Sequence, residues 1–146
     1  MNALIHIHSG LRWVALIVLI LAIFNAIKSQ NSGKYLKKDK MINLFAMIFL
    51  HIQLLIGLGL YFSSNKVNFA QGWMKEGLNR FYGMEHLIGM ILAVILVTLG
   101  RRKSEKKLKG SRDKHRKIMI SYTIGLILIL VFIPWPFREA LGANWF

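Results

Sequence analysis

Four apolar runs of about 20 residues each, separated by short polar segments, divide this sequence. An α-helix rises about 1.5 Å per residue, so each run is long enough to cross the roughly 30 Å hydrocarbon core of a bilayer. Within that core only a helix satisfies all the backbone hydrogen bonds of a single segment. The sequence therefore predicts transmembrane helices at about 4–27, 41–62, 80–100 and 115–136.

The segments between these runs are short, which favours antiparallel neighbouring helices. We predict an all-α, integral membrane four-helix up-down bundle in which the whole chain, residues 1–146, forms one domain. Hydrophobic residues make up 55% of the chain, above the roughly 45–50% that is usual in soluble domains. Membrane lipid is therefore the expected surrounding of the helices.

Basic residues are concentrated in two of the connecting segments. Of the 20 lysines and arginines, five lie in 28–40 and ten in 101–117. Cytoplasmic loops carry such an excess, so we expect a multi-pass protein of the bacterial inner membrane with both termini outside the cytoplasm. The net charge of +14 then reflects topology, and no nucleic-acid partner is expected. Aromatic residues are predicted at the outer boundary: Trp13, Tyr61, Trp73, Tyr82, Trp135 and Trp145.

The chain contains no cysteine, which excludes disulfides, thiolate metal sites and haem attached covalently through cysteines. No segment has the spacing of a zinc-peptidase motif, a phosphate-binding P-loop or a nucleophile elbow. The candidates for chemistry are therefore the ionisable residues within the apolar runs, because such residues are costly in a membrane and usually functional or paired.

Small residues at helical spacing predict the helix faces that pack together. One stripe in the first helix consists of His8, Arg12, Ala15, Leu19, Ala22 and Ala26. A second, in the third helix, consists of Tyr82, His86, Gly89, Ala93 and Val97. The steps Gly89–Ala93 and Ser121–Gly125 also place two small residues one turn apart, a spacing typical of closely packed membrane helices.

Two histidines on these stripes are predicted to lie at the same depth. His8 is four residues and His86 five residues into their apolar runs, or about 6 Å and 7.5 Å below the outer boundary. In an up-down bundle the first and third helices face each other diagonally. The two imidazoles then either hydrogen-bond within the protein or hold one planar cofactor between them, since haem iron takes axial histidine.

Arg12 lies one turn from His8 on the same helix face. A buried guanidinium needs an anionic partner, and we consider Glu85 and a haem propionate for this role. Gly10 and Gly89 are predicted to let a flat ring approach the backbone.

The sequence gives weaker indications of ligand binding for the three other histidines. His51 is eleven residues from the end of its run, about 16 Å deep, and is either a structural hydrogen-bonding residue or a substitute ligand. His6 is expected at the interface. His115 lies within a run of charged residues and is expected to face solvent or lipid headgroups.

Three segments carry a resemblance to a known type of protein. They are His8-Ser9-Gly10-Leu11-Arg12-Trp13, His51-Ile52-Gln53-Leu54-Leu55-Ile56-Gly57 and Glu85-His86-Leu87-Ile88-Gly89-Met90. They resemble the histidine-bearing helices of small bacterial four-helix b-type cytochromes, the cytochrome b561-like and CopD-like membrane proteins. The closing Ile133-Pro134-Trp135-Pro136-Phe137 resembles the end of short proteins of this type.

The resemblance implies haem b as cofactor, with His8, His51 and His86 as candidate iron ligands. It implies an electron-transfer protein rather than a classical enzyme, with quinone or a redox protein as partner. Two-haem members need four histidines at two depths, whereas here the cytoplasmic half has only His115. A single haem in the outer half, bound by His8 and His86 with Arg12 at a propionate, is therefore our leading hypothesis.

Two other hypotheses stay open. In one, the protein is a cofactor-free accessory subunit of a larger membrane complex, and its polar residues form a network between helices. In the other, the chain handles a metal ion or protons along a polar path formed by His8, His51, Glu85 and His86, since neutral imidazole suits zinc or copper.

Overall fold

The structure, a computed structural model, describes residues 2–142 and consists of four long helices. We number them α1 (Asn2–Ser29), α2 (Lys37–Ser63), α3 (Gly77–Lys106) and α4 (Ser111–Phe132), with 3₁₀ turns at Trp73–Lys75 and Glu139–Leu141. All four are long and apolar enough to cross a membrane, and residues 2–142 contain no strand. The predicted all-α fold with four helices of membrane-spanning length is confirmed, while Trp145 lies outside the described residues.

The helix ends differ from the predicted ones for local reasons. α4 ends at Phe132, before the predicted 136, because Pro134 and Pro136 lack a backbone N–H. The residue before Pro134, Ile133, is extended, with ψ 132°, as the proline ring requires of its neighbour. α3 continues to Lys106, beyond the predicted 100, since lysine and arginine are good helix formers and their side chains reach a polar interface.

The helices pack mainly as neighbouring pairs: α1 against α2 and α4, and α3 against α2 and α4. The predicted stripe on α1 is buried from Arg12 to Ala26, and that on α3 from Gly89 to Val97. Large apolar side chains point outwards instead, among them Ile17, Phe24, Leu55 and Leu99. A surface of this kind suits lipid rather than water.

Close packing of α3 on α4 depends on residues without bulk. A methyl group added at Gly100 would overlap the Ser121 side chain, and one added at Gly89 would overlap the Phe132 ring. At Gly125 it would come within 2.9 Å of Val97 Cγ2. The small residues predicted as packing faces on α3 and α4 therefore do meet at one interface.

Exchanging the sizes of one residue pair tests this interface. We expect Gly100→Ala to lower the free energy of unfolding by about 1–3 kcal/mol, because the core has no space for the added methyl group. In the double variant Gly100→Ala/Ser121→Gly the overlapping side chain is gone, so most of the loss should be recovered. Thermal unfolding in detergent, followed by circular dichroism, measures both. A double variant no more stable than Gly100→Ala would contradict the packing described.

Candidate functional site

A cavity of about 230 Å³ lies among the helices and contains both histidines that were predicted to face each other. It is lined by the first half of α1, the second half of α2, the first half of α3 and the end of α4, together with residues of the following loops. Its charged or ionisable lining residues among those described are His8, Arg12, Tyr61, Lys66, Tyr82 and His86. The described lining includes no carboxylate, so the cavity attracts negatively charged groups.

His8 and His86 meet across this cavity. Their ring centroids are 6.5 Å apart, and the ring planes are nearly perpendicular at 79°. A metal–imidazole bond is about 2 Å long, so two rings that hold one metal ion have centroids roughly 6 Å apart. The separation of the two rings therefore fits coordination of one metal centre between them.

A backbone hydrogen bond fixes the His86 ring. Its Nδ1 lies 2.7 Å from the carbonyl oxygen of Phe132, the last residue of α4. Because a carbonyl can only accept, Nδ1 carries the proton and the lone pair of the neutral ring is on Nε2. Hydrogen bonding at one ring nitrogen is how proteins orient a histidine that binds metal through the other.

The residue preceding His86 belongs to an unusual turn. α3 contains a π-helical turn at Phe81–Glu85, immediately before His86. Tyr61 of α2 donates a hydrogen bond to the carbonyl of Gly83 within this turn, at 2.8 Å. Turns of this kind are frequent at functional sites, and here the turn sets the direction in which α3 presents His86.

His8 is held by packing instead. A methyl group added at Gly57 of α2 would lie 3.0 Å from His8 Cε1, so the ring rests directly on the α2 backbone. Gln53, one turn earlier, donates to the His8 carbonyl at 2.8 Å. The buried Nδ1 of His8 has no hydrogen-bond partner among the described residues, which is a costly arrangement for a ring nitrogen.

Arg12 is buried, with 8% of its surface exposed, and its guanidinium lies 5.2 Å from the centroid of the Trp13 ring. Glu85, considered above as its partner, forms an ion pair with Arg80 at 2.7 Å. Lys66 reaches the cavity from the α2–α3 loop, where its ammonium lies over the Tyr82 ring. The two cations give the site the charge that an anionic ligand needs.

The two glycines considered as approach points for a ring have different surroundings. A methyl group added at Gly10 would meet open space. Gly89 is covered by the Phe132 ring, so it serves helix packing, and the prediction that it admits a cofactor is wrong. Gly57, which the sequence did not single out, is the glycine on which an imidazole lies.

His51 is not one of the described residues that line the cavity. Its Nδ1 donates to the Met47 carbonyl one turn back, at 2.8 Å, and its Nε2 lies 3.4 Å from Thr98 Oγ1 on α3. The Thr98 hydroxyl donates its hydrogen to the Val94 carbonyl at 2.7 Å, so the Nδ1 hydrogen bond is the contact that favours a structural role for His51. His6 is exposed, as expected of an interfacial side chain.

His115 was expected at the surface, and this prediction is wrong. The side chain is completely buried. Its Nε2 donates to the carbonyl of Lys34 at 3.0 Å, and its ring packs edge-on against Tyr35 with centroids 4.9 Å apart. The α1–α2 loop thus folds over the start of α4 and removes His115 from solvent.

His115 is part of a group of buried or half-buried polar residues at the end of the bundle formed by the two basic segments. We call this group the polar cluster and include in it Asn25, Tyr35, Asp39, Asn43, Glu105 and His115. Asp39 accepts from the Asn25 amide at 2.8 Å and from the Leu36 backbone N–H at 2.7 Å.

The polar cluster continues from Asp39 to the other helices. Tyr35 donates to Glu105 of α3 at 2.6 Å and accepts from Asn43 at 3.1 Å. Burial, followed by the hydrogen bond to Glu105, raises the pKa of Tyr35 to about 12. The cluster therefore joins all four helices at the basic end through neutral and charged hydrogen bonds.

The histidines and carboxylates of the protein distinguish a site for a bare metal ion from a site for a haem iron. Within residues 2–142, no group of three or more histidine, aspartate or glutamate side chains is close enough to hold a metal ion. A haem iron needs only axial ligands from the protein, and His8 with His86 supplies two. A cavity of about 230 Å³ is smaller than ligand pockets of roughly 300–1,000 Å³, so binding a porphyrin requires side chains facing the cavity to move outwards.

Comparison with known proteins identifies no relative. The sequence matches no protein-family model, no curated protein and no solved structure. The resemblance to b-type cytochromes therefore stays a prediction that rests on the residues of this chain.

Proposed function

We propose that this protein is a b-type cytochrome that binds one haem b between His8 and His86 and passes electrons. The observation that carries the proposal is the facing pair of imidazoles, 6.5 Å apart, in a cavity whose described lining has two cations and no carboxylate. When bound, the haem supplies a site for one-electron transfer. The protein residues hold the group, orient it and limit the access of water.

Each residue of the site has a defined part in this proposal. His86, oriented by the Phe132 carbonyl, would hold the haem iron through Nε2. His8, resting on Gly57, would hold it through a ring nitrogen from the other side of the cavity. Arg12 binds a propionate, and quinone or a redox protein accepts or supplies the electron. His51 donates a hydrogen bond within α2 and lies beside Thr98 of α3, and it stabilises the bundle without touching the haem.

The proposal includes an orientation in the membrane. The four helices alternate in direction, with the basic end in the cytoplasm of a bacterium and both termini outside the inner membrane. Two features support this: the 15 basic residues in segments 28–40 and 101–117, and the polar cluster, which brings those two segments to one end. The haem then lies in the outer half of the membrane.

The test is an absorption spectrum of the detergent-purified protein, oxidised and then reduced with dithionite, with haem quantified as pyridine haemochrome. We expect a Soret band and a sharp reduced α-band at about one haem per chain. His8→Ala and His86→Ala should each lose the haem, because one axial ligand disappears. His51→Ala and His6→Ala, as matched controls, should keep it. A His8→Ala protein with full haem content would overturn the ligand assignment.

A cofactor-free accessory subunit of a larger membrane complex is the second candidate. It is favoured by the hydrogen bonds that His51 and His86 already make within the protein, which need no ligand to be satisfied. A colourless protein from haem-replete cells, purified at fixed stoichiometry with other membrane subunits, would support this alternative and reject the first.

A further inference from the structure

Two prolines follow α4 at positions that affect its last turn. In an α-helix the carbonyl of one residue accepts from the N–H four residues later. The residues four positions after Leu130 and Phe132 are Pro134 and Pro136, and proline has no N–H to donate. Both carbonyls therefore lack the donor that a continued α-helix would supply, and the N–H groups of Ile133 and Trp135 donate elsewhere.

Side chains donate hydrogen bonds to both of these carbonyls. The indole Nε1 of Trp135 donates to the carbonyl of Leu130 at 2.8 Å. The ring Nδ1 of His86 donates to the carbonyl of Phe132 at 2.7 Å. The first bond is local, whereas the second joins α4 to α3 across 46 residues of sequence.

The position of the Phe132 carbonyl is itself fixed by packing. The Phe132 ring lies directly against Gly89, where even a methyl group would overlap it. Gly89 is one turn after His86 on α3. The Phe132 ring thus packs one turn away from the histidine that donates to the Phe132 carbonyl. A shift of α4 along α3 would break both the ring contact with Gly89 and the hydrogen bond to His86.

We propose that Pro134 and Pro136 are positioning residues for His86. By denying the Phe132 carbonyl a backbone donor, they keep it available to His86 Nδ1. The ring is thereby held in one tautomer and one direction, with the lone pair of Nε2 facing the cavity. The inference rests on the proposed function for its purpose, but the tautomer is a property of the protein alone.

The decisive measurement is nitrogen NMR of the protein in detergent, purified without haem and labelled with ¹⁵N-histidine, with His86 assigned by its absence in His86→Ala. The native protein should show a protonated Nδ1 and an unprotonated Nε2 for His86. In Pro134→Ala/Pro136→Ala the backbone regains two donors and α4 can continue. We expect the His86 signal to become a mixture of tautomers and haem affinity to fall by about 10- to 100-fold.

Trp135→Phe is the matched control, because it removes the parallel hydrogen bond to Leu130 and leaves both prolines. The His86 tautomer should not change in this variant. An unprotonated Nδ1 in the native protein would overturn the inference even if the double variant failed to fold. So would an unchanged tautomer in a folded double variant. A native protein with the expected tautomer but no capacity to bind haem would instead reject the proposed function and leave the inference standing.

Discussion

Gly57→Val is expected to weaken haem binding strongly while leaving the helices intact. A side chain at this position begins 3.0 Å from Cε1 of His8 even with a single methyl group, and valine adds two more carbons. The His8 ring must then leave its place on α2 and lose its alignment with His86. We expect haem affinity to fall by about 10- to 100-fold, the range seen when a ligand's supporting contacts are removed.

Gly59→Val provides the control two residues further along α2. There the nearest side-chain atom to an added methyl group is Leu4 Cδ2, at 3.8 Å, which is an ordinary contact. Haem titration of both purified variants, with helix content followed by circular dichroism, separates the site from the fold. Full haem content in Gly57→Val, or equal loss in both variants, would contradict the contact between Gly57 and His8 as the support of this ligand.

Asp39→Ala is expected to destabilise the protein by about 3–5 kcal/mol, more than any other single change in the polar cluster. Asp39 has only 3% of its surface exposed. Its removal leaves the Asn25 amide and the Leu36 N–H without their acceptor. It also removes the negative charge that lies 3.9 Å from His115 Nε2. Buried donors left without a partner carry the full cost of their lost hydration.

The matched control is Asp113→Ala in the first turn of α4, where the carboxylate is exposed. A surface change of this kind is expected to stay within about 0.5 kcal/mol. Thermal unfolding of the two variants in the same detergent gives the comparison. Similar midpoints for Asp39→Ala and Asp113→Ala would show that the polar cluster contributes little to stability.

Much of the architecture can be predicted from the sequence because a bilayer permits few solutions. Apolar length alone indicates the four helices. Helical spacing on α1 and α3 then predicts that His8 and His86 share a depth and an interior face, and the structure brings them together. Both inferences need only the period of a helix and the thickness of a membrane, not the details of any loop.

The surroundings of the histidines could not be predicted in the same way. His115 lies within charged residues and reads as a surface position, yet the α1–α2 loop buries it by folding back to place Lys34 and Tyr35 against it. The acceptor for His86 is a backbone carbonyl, and every residue has one. The usable signal was Pro136, four residues after Phe132, because a missing N–H marks a carbonyl available to a side chain.

Hydrogen bonds fasten the helices to one another at both ends of the bundle. At the basic end they run through the polar cluster and include the α1–α2 loop. Around the cavity, Gln53, Tyr61 and His86 each donate to a backbone carbonyl of another helix. Moving the helices apart would break these bonds, whereas an apolar side chain can change rotamer without breaking one. Room for a ligand wider than the cavity therefore comes from side chains that turn outwards, while the helix backbones keep their positions.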